Sequence, residues 1–360
     1  MTDFRTFGRT GLRVSPLTLG AMTFANAETG ADAETAVAMI DRYVDAGGNT
    51  IDTANAYGGG RSEELLGSHL AARPGLRDRL VIATKFASNM FAGDPNGGGS
   101  GRKAIMQQVD GSLRRLRTDY IDLYWQHHWD RHTPLDETMA ALDDLVRSGK
   151  VRYVGLSDTP AWAVARMATM AEIRGWTNVA AIQIEYSLLQ RTPEGELFGV
   201  SRELGLGVTS WSPLAGGALS GKYSRSETAP AGSSRAPSLQ HRLTEDTFVV
   251  LDALAQIGAE LGAAVAQVAL AWVRQQPLMT STIIGVRTID QLDVNLGSLD
   301  VTLPPEAMAR LGELTEPSLD FPADFLRRFA IPGQQNGTTI NGVASGRSPA
   351  YRPTTPVART

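Results

Sequence analysis

Cysteine is absent from all 360 residues. That excludes a disulfide framework, a thiolate metal site and a cysteine nucleophile, and it leaves the redox compartment open. No metal site is expected. No apolar run approaches the roughly 18 residues of a membrane-spanning helix. The opening Met1-Thr2-Asp3-Phe4-Arg5 carries no apolar signal-peptide core, so a cytoplasmic location is the expectation. Charged residues make up 20% of the chain and the formal net charge is −4. The densest basic spots, Arg102-Lys103 and Arg114-Arg115 with Arg117, read as solvated helix faces. Neither a membrane nor a nucleic acid is therefore an expected partner. A Gly-rich dinucleotide turn is also missing. Leu19-Gly20-Ala21-Met22-Thr23 follows the first apolar run, where an open nucleotide-binding sheet would place G-x-G-x-x-G.

What is present is a rhythm. The chain is 42% hydrophobic, enough for one large core or two modest ones. Eight short apolar runs recur along it: Leu17 to Gly20, Asn49 to Asp52, Leu80 to Lys85, Tyr120 to His127, Val151 to Ser157, Ala181 to Glu185, Gly207 to Ser210 and Thr282 to Gly285. They lack clean alternation, as strands buried on both faces do. Helical patterns lie between them. Ala33 to Asp45 stops at Gly47-Gly48, and Asp136 to Ser148 stops at Gly149. Eight strand–helix units predict a (β/α)₈ TIM barrel. Residues 246–261 and 265–275 leave room for two helices before the last strand, one of them extra to the repeat. The first 15 residues read as an N-terminal β-hairpin cap on one barrel end. Ala87 to Gly101 and Ser220 to Gln240 are long loops that follow strands, so they belong at the C-terminal face, where barrel active sites lie. Residues 1–331 form the expected domain. Residues 332–360, rich in Gly, Ser, Thr and Pro, form an expected flexible or loosely docked tail.

Four residues stand at the ends of successive runs. Asp52 closes one, Tyr57 follows in a loop of small residues, Lys85 closes the next and His127 the one after. Each alone is ordinary: a cap, a packed ring, a solvated cation, a structural imidazole. Together, each at the same place in its own strand–loop unit, they are an arrangement for moving a proton.

With these residues go further motifs. Gly48-Asn49-Thr50-Ile51-Asp52-Thr53-Ala54 precedes Tyr57-Gly58, and Ser62-Glu63 precedes Leu66-Gly67. Ala83-Thr84-Lys85, Asp122-Leu123-Tyr124 with His127, Gly155-Leu156-Ser157, Glu185-Tyr186-Ser187 and Trp211-Ser212-Pro213-Leu214 follow in order, then Ile284-Gly285 with Gln291 and Asn295. Over roughly residues 1 to 330 the chain resembles the aldo-keto reductases, in the bacterial branch close to potassium-channel β-subunits and aryl-alcohol dehydrogenases. The resemblance implies a (β/α)₈ barrel, a nicotinamide cofactor and reversible reduction of a small-molecule carbonyl. A homo-oligomer is compatible with it. The alternative is a cofactor-binding regulatory subunit of the channel-β type, with little turnover.

Chemistry assigns the roles. Hydride addition to a carbonyl makes an alkoxide that needs a proton, and Tyr57 would supply it. A free tyrosine, with a pKa of roughly 10, is a poor acid at neutral pH. A neighbouring ammonium, Lys85, is expected to lower that pKa, and Asp52 to hold Lys85 charged. His127 would direct the carbonyl oxygen, with adjacent His128 turned elsewhere. For the cofactor, the resemblance implies Trp211 beneath the nicotinamide and Ser157, Asp158 and Gln183 at its carboxamide. Asp158 stands where the family usually has Asn. Ser212, Leu214, Gly216, Gly217, Leu219 and Lys222 fall at the pyrophosphate, with Gly285 at the last strand end. Arg287 would meet an adenosine 2′-phosphate, which favours NADPH/NADP+ over NADH, with Lys222 and Arg225 next in line. Gln291 and Asn295 would face the adenine. Met22, Phe24, Phe86, Met90, Trp125, His128 and Trp129 are the candidate walls of a roomy aromatic pocket.

Overall fold

The computed structural model describes every residue except 2, 25–29, 229–238 and 348–360. A hairpin of β1 (Arg5–Thr6) and β2 (Arg13–Val14) comes first. Eight parallel strands then close a barrel: β3 (Leu17–Gly20), β4 (Thr50–Asp52), β5 (Val81–Phe86), β6 (Ile121–Gln126), β7 (Val151–Ser157), β8 (Val179–Glu185), β9 (Gly207–Trp211) and β10 (Met279–Gly285). They neighbour one another in chain order, and β10 pairs with β3 to seal the ring. The eight apolar runs are these eight strands; two coincide at both ends, and the other ends shift by at most three residues.

Helices pack outside: α1 (Ala33–Asp45), α2 (Arg61–Ala72), a short α3 (Leu76–Arg79), α4 (Arg102–Leu116), α5 (Leu135–Arg147), α6 (Ala161–Arg174) and α7 (Leu197–Leu204). Two helices, α8 (Glu245–Leu261) and α9 (Val265–Arg274), stand between β9 and β10, followed by α10 (Ile289–Leu296) and α11 (Pro305–Leu314). Helix α1 illustrates why. The Asp32 side chain accepts from the Thr35 N–H at 2.8 Å and starts it. Ala36, Met39, Ile40 and Tyr43 then form a buried stripe at helical spacing. The Tyr43 hydroxyl donates to the Leu17 carbonyl at 2.7 Å and accepts from the Thr50 N–H at 3.2 Å, so it ties α1 to β3 and β4. Among the described residues no single helix is long and apolar enough to cross a membrane.

The hairpin plugs the N-terminal end of the barrel. Phe7 and Val14 join Val81, Leu123, Trp125 and Ala181 in one buried cluster, with the Phe7 ring edge-on to Trp125 at 6.1 Å. A side chain at Gly8 would stand 2.5 Å from the Gly207 N, so the turn fits against the start of β9 only with glycine there. With that end filled, the site can open only at the other. In the tail, short helical turns reach Gln335, and Thr339–Ile340 pairs with Val343–Ala344 on the surface. The middle of the Ser220–Gln240 loop and the end of the tail lie outside the described residues.

Candidate active site

Parallel register brings the strand ends level. Asp52 lies opposite Gly20 and Ala83, and Lys85 opposite Trp125. Side chains alternate faces along a strand, so Ala83 and Lys85 share the inward face with Asp52. Tyr57 begins a turn of Tyr57–Gly60 that leads into α2. Gly58, Gly59 and Gly60 all take positive φ, at 60°, 68° and 98°. Only glycine enters such a run at little cost, and the run turns Tyr57 back over the barrel.

The four side chains meet. Lys85 is fully buried, and its Nζ donates to Asp52 Oδ1, to the Thr53 carbonyl at 2.9 Å and to Tyr57 Oη at 3.1 Å. From the opposite wall, Gln183 Nε2 donates to Asp52 Oδ2 at 3.0 Å. The Asp52 carboxylate is thus bonded on both oxygens. His127 sits edge-on to Tyr57, ring centroids 5.7 Å apart, and its Nδ1 has no hydrogen-bond partner among the described residues. His128 stacks on His127 at 5.9 Å and is exposed.

Electrostatics refine the expectation for Tyr57. Burial pushes its pKa up; Lys85 pulls it down, and burial prevails with Asp52 assisting it, so the net shift is upward rather than the expected depression. The phenol is accordingly protonated at neutral pH, as a proton donor must be. For Lys85, burial opposes the charge, but Asp52 and Tyr57 outweigh it and the pKa lies above its ordinary value. For His127, burial first and the Lys85 charge second lower the pKa to about 3. Its unfolded value is roughly 6.5. Its contribution to stability is therefore complete above that pH and fades as pH falls toward 3. The ring is expected to stay neutral between about pH 5 and 8. Nitrogen NMR of ring-labelled protein should show flat His127 shifts over that range, and a midpoint near pH 6.5 would contradict the burial argument.

The cofactor candidates divide. Ser157 is buried next to Gln183 in register, and its Oγ has no hydrogen-bond partner among the described residues. Gln183 is engaged with Asp52 instead. Asp158 takes φ 42°, a left-handed conformation that Asp tolerates, and accepts from the Trp211 indole N–H at 3.1 Å. That bond fixes the Trp211 plane. Beyond β9, Gly216 and Gly217 take φ 71° and 111°. The Gly216 N–H bonds Ser212 Oγ at 2.8 Å and the Gly217 N–H bonds the Leu214 carbonyl at 2.9 Å, so these donors are turned onto their own loop. A phosphate there would replace those acceptors. Leu219 is fully buried beneath this loop, and Lys222 is exposed at its end. Arg225 is held in ion pairs with Glu245 at 2.7 Å and Asp252 at 2.8 Å. Gly285 is exposed with nothing near its missing side chain. Gln291 accepts from the Arg287 N–H at 2.9 Å, and Asn295, one turn further along the same helix, is buried.

Three expected pocket walls lie elsewhere. Phe24 and Phe86 are fully buried, Phe86 with its ring tilted against Tyr124 at 4.9 Å behind the barrel wall. Trp125 fills the barrel interior above the plug. Met22, His128 and Trp129 do reach the surface at the rim. Trp162, absent from the sequence reading, joins them edge-on to Trp129 at 5.5 Å. Its place just after the turn that leaves β7 was the available signal.

Residues 16–316 match the aldo/keto reductase family. The chain belongs to that family. This aldo-keto reductase is 39% identical over 322 residues to the uncharacterized oxidoreductase YrpG of Bacillus subtilis, covering 87% of the chain and 95% of the relative. It is 35% identical to a probable voltage-gated potassium channel subunit beta of Oryza sativa, over 86% of the chain and 95% of the relative. It is 33% identical to an aryl-alcohol dehydrogenase [NADP(+)] of Phanerodontia chrysosporium, over 87% and 85%. As an aldo-keto reductase it is an oxidoreductase of carbonyl groups with a nicotinamide cofactor.

Proposed function

We propose that this aldo-keto reductase reversibly reduces an aldehyde or ketone to an alcohol with NADPH, and that Tyr57 gives the proton. One observation carries the reading: a fully buried Lys85 bonds Asp52 and Tyr57 at once. The bound nicotinamide supplies the hydride. Tyr57 Oη passes its proton to the carbonyl oxygen as negative charge grows there. Lys85 stabilises the phenolate left behind, and Asp52 with Gln183 fixes Lys85 in place. Neutral His127 can donate one ring N–H to the same oxygen and set its direction. Ser157, Asp158 and Trp211 would hold the nicotinamide end, and Lys222, Gly216, Gly285 and Arg287 the phosphates. The aromatic rim of His128, Trp129 and Trp162 suits a carbonyl compound with a flat apolar body.

The test is consumption of NADPH in stopped flow against a panel of aldehydes, ketones and keto-sugars. Turnover with an aryl aldehyde is the expected result. Tight NADPH binding without turnover on any member would turn the reading to a regulatory, cofactor-sensing role.

Cofactor choice has its own test. If Arg287 pairs with the 2′-phosphate, Arg287→Ala should weaken NADPH binding by roughly 1.5 to 3 kcal/mol, the range of a charge-assisted hydrogen bond. NADH lacks that phosphate, so its affinity should hardly move. Quenching of Trp211 fluorescence measures both. Equal weakening of the two would make Arg287 structural.

A further inference from the structure

Gln108 lies on α4, outside every residue assigned above, yet the residue is only 4% exposed. A buried amide is costly unless it is bonded. Its Oε1 accepts from Asn55 Nδ2 at 2.7 Å and from the Ala87 N–H at 3.1 Å. These donors belong to the two segments that carry the proton chemistry. Asn55 is fully buried between Asp52 and Tyr57. Ala87 stands two residues after Lys85. The Ala87 N–H can only donate, which fixes oxygen as the Gln108 atom facing it and makes the Asn55 amide the second donor.

The same segments are joined again where the Asn55 N–H donates to the Lys85 carbonyl at 3.1 Å. Asn55 Nδ2 also reaches the Ser88 carbonyl at 3.3 Å. Ala87 takes φ 88°, a conformation that residues with a side chain rarely adopt. Its N–H is held by Gln108, and its carbonyl accepts from the Gly99 N–H at 2.7 Å.

The geometry points to Gln108 as a positioning residue for carbonyl reduction: its one carbonyl oxygen, clamped between Asn55 and Ala87, sets where Tyr57 stands relative to Lys85. The inference rests on the roles proposed for Tyr57 and Lys85. Tyr57 opens a turn of three left-handed glycines, which has little stiffness of its own. Small misplacements of a reacting group are expensive, up to about 10²-fold for 1 Å. If Gln108 only filled space, an apolar residue of equal length would serve as well.

Gln108→Met keeps the length and removes the acceptor, whereas Gln108→Glu keeps an acceptor oxygen. Steady-state kinetics over a range of pH are run beside carbon NMR of tyrosine Cζ, with the Tyr57 resonance assigned by its loss in Tyr57→Phe. Gln108→Met is expected to lower kcat about ten- to hundredfold with little change in KM. It should also displace both the pH profile and the Tyr57 resonance, and Gln108→Glu should restore most of each. A Gln108→Met protein of lower stability but with wild-type kcat, pH profile and Tyr57 resonance overturns the inference. If Gln108→Met does not fold, Asn55→Ala removes the same bond from its other end and is read by the same criteria. The NMR arm needs no turnover. A wild type that reduces no carbonyl, with a Tyr57 resonance that still moves in Gln108→Met, would leave the clamp standing and reject the reaction.

Discussion

Replacing Tyr57 by Phe is expected to lower kcat for carbonyl reduction by about 10²- to 10⁴-fold, the worth of a well-placed general acid. NADPH affinity should hardly change. The substitution removes one hydroxyl, and the ring that packs edge-on against His127 remains. It also leaves Lys85 bonded to Asp52 and to the Thr53 carbonyl, so the buried ammonium keeps two of its three partners. The measurement is single-turnover NADPH oxidation with cofactor titration on the same sample. Retained turnover with an unchanged pH profile would end the assignment of Tyr57 as the donor.

Lys85→Met should cost as much in kcat, and the two losses should not multiply. Tyr57 and Lys85 serve one proton transfer, and members of one unit are strongly non-additive. The double variant is expected to be no slower than the worse single one. A double variant slowed by the product of the separate factors would uncouple the pair. Lys85→Met should differ from Tyr57→Phe in stability. Removing one partner of a buried ion pair strands the other, typically at about 3–5 kcal/mol. Among the described residues, the Asp52 carboxylate would keep Gln183 as its side-chain partner and lose the ammonium that balances its charge. Denaturant titration of both variants separates this loss from the kinetic one.

The barrel was legible because its strands are buried on both faces and announce themselves as apolar runs. For the same reason the sequence was silent about which face a given ring occupies. Only once the closed barrel shows that Lys85 points inward does alternation turn Phe86 outward, where it meets Tyr124. Trp125 shares the inward face but is long enough to reach down to Phe7 rather than line the mouth. The four residues proposed to handle the proton could be picked out because they stand at or just after strand ends in three successive units, Asp52 and Tyr57 in the first and Lys85 and His127 in the next two. Their supports could not. Gln183 reaches Asp52 from across the barrel, 131 residues away along the chain. Gln108 shares its buried helix face with another polar residue, Ser112, and no motif marks it out. The upward shift at Tyr57 depends on how deeply the ring is covered, a quantity that only the assembled mouth defines.

Asp52, Lys85, Ser157 and Gln183 project from strand ends, and Tyr57 is tethered to them, whereas Met22, His128, Trp129 and Trp162 stand on connecting segments or the first residues of a helix. These two groups answer to different pressures. A change at Met22, His128, Trp129 or Trp162 alters the rim without removing any of the groups bonded to Lys85. A lineage built this way can try new molecules while the chemistry beneath stays constant, and it can also lose its molecule altogether and keep the cofactor. Relatives whose names run from aryl-alcohol dehydrogenase to potassium channel subunit are what such a division of labour would leave behind.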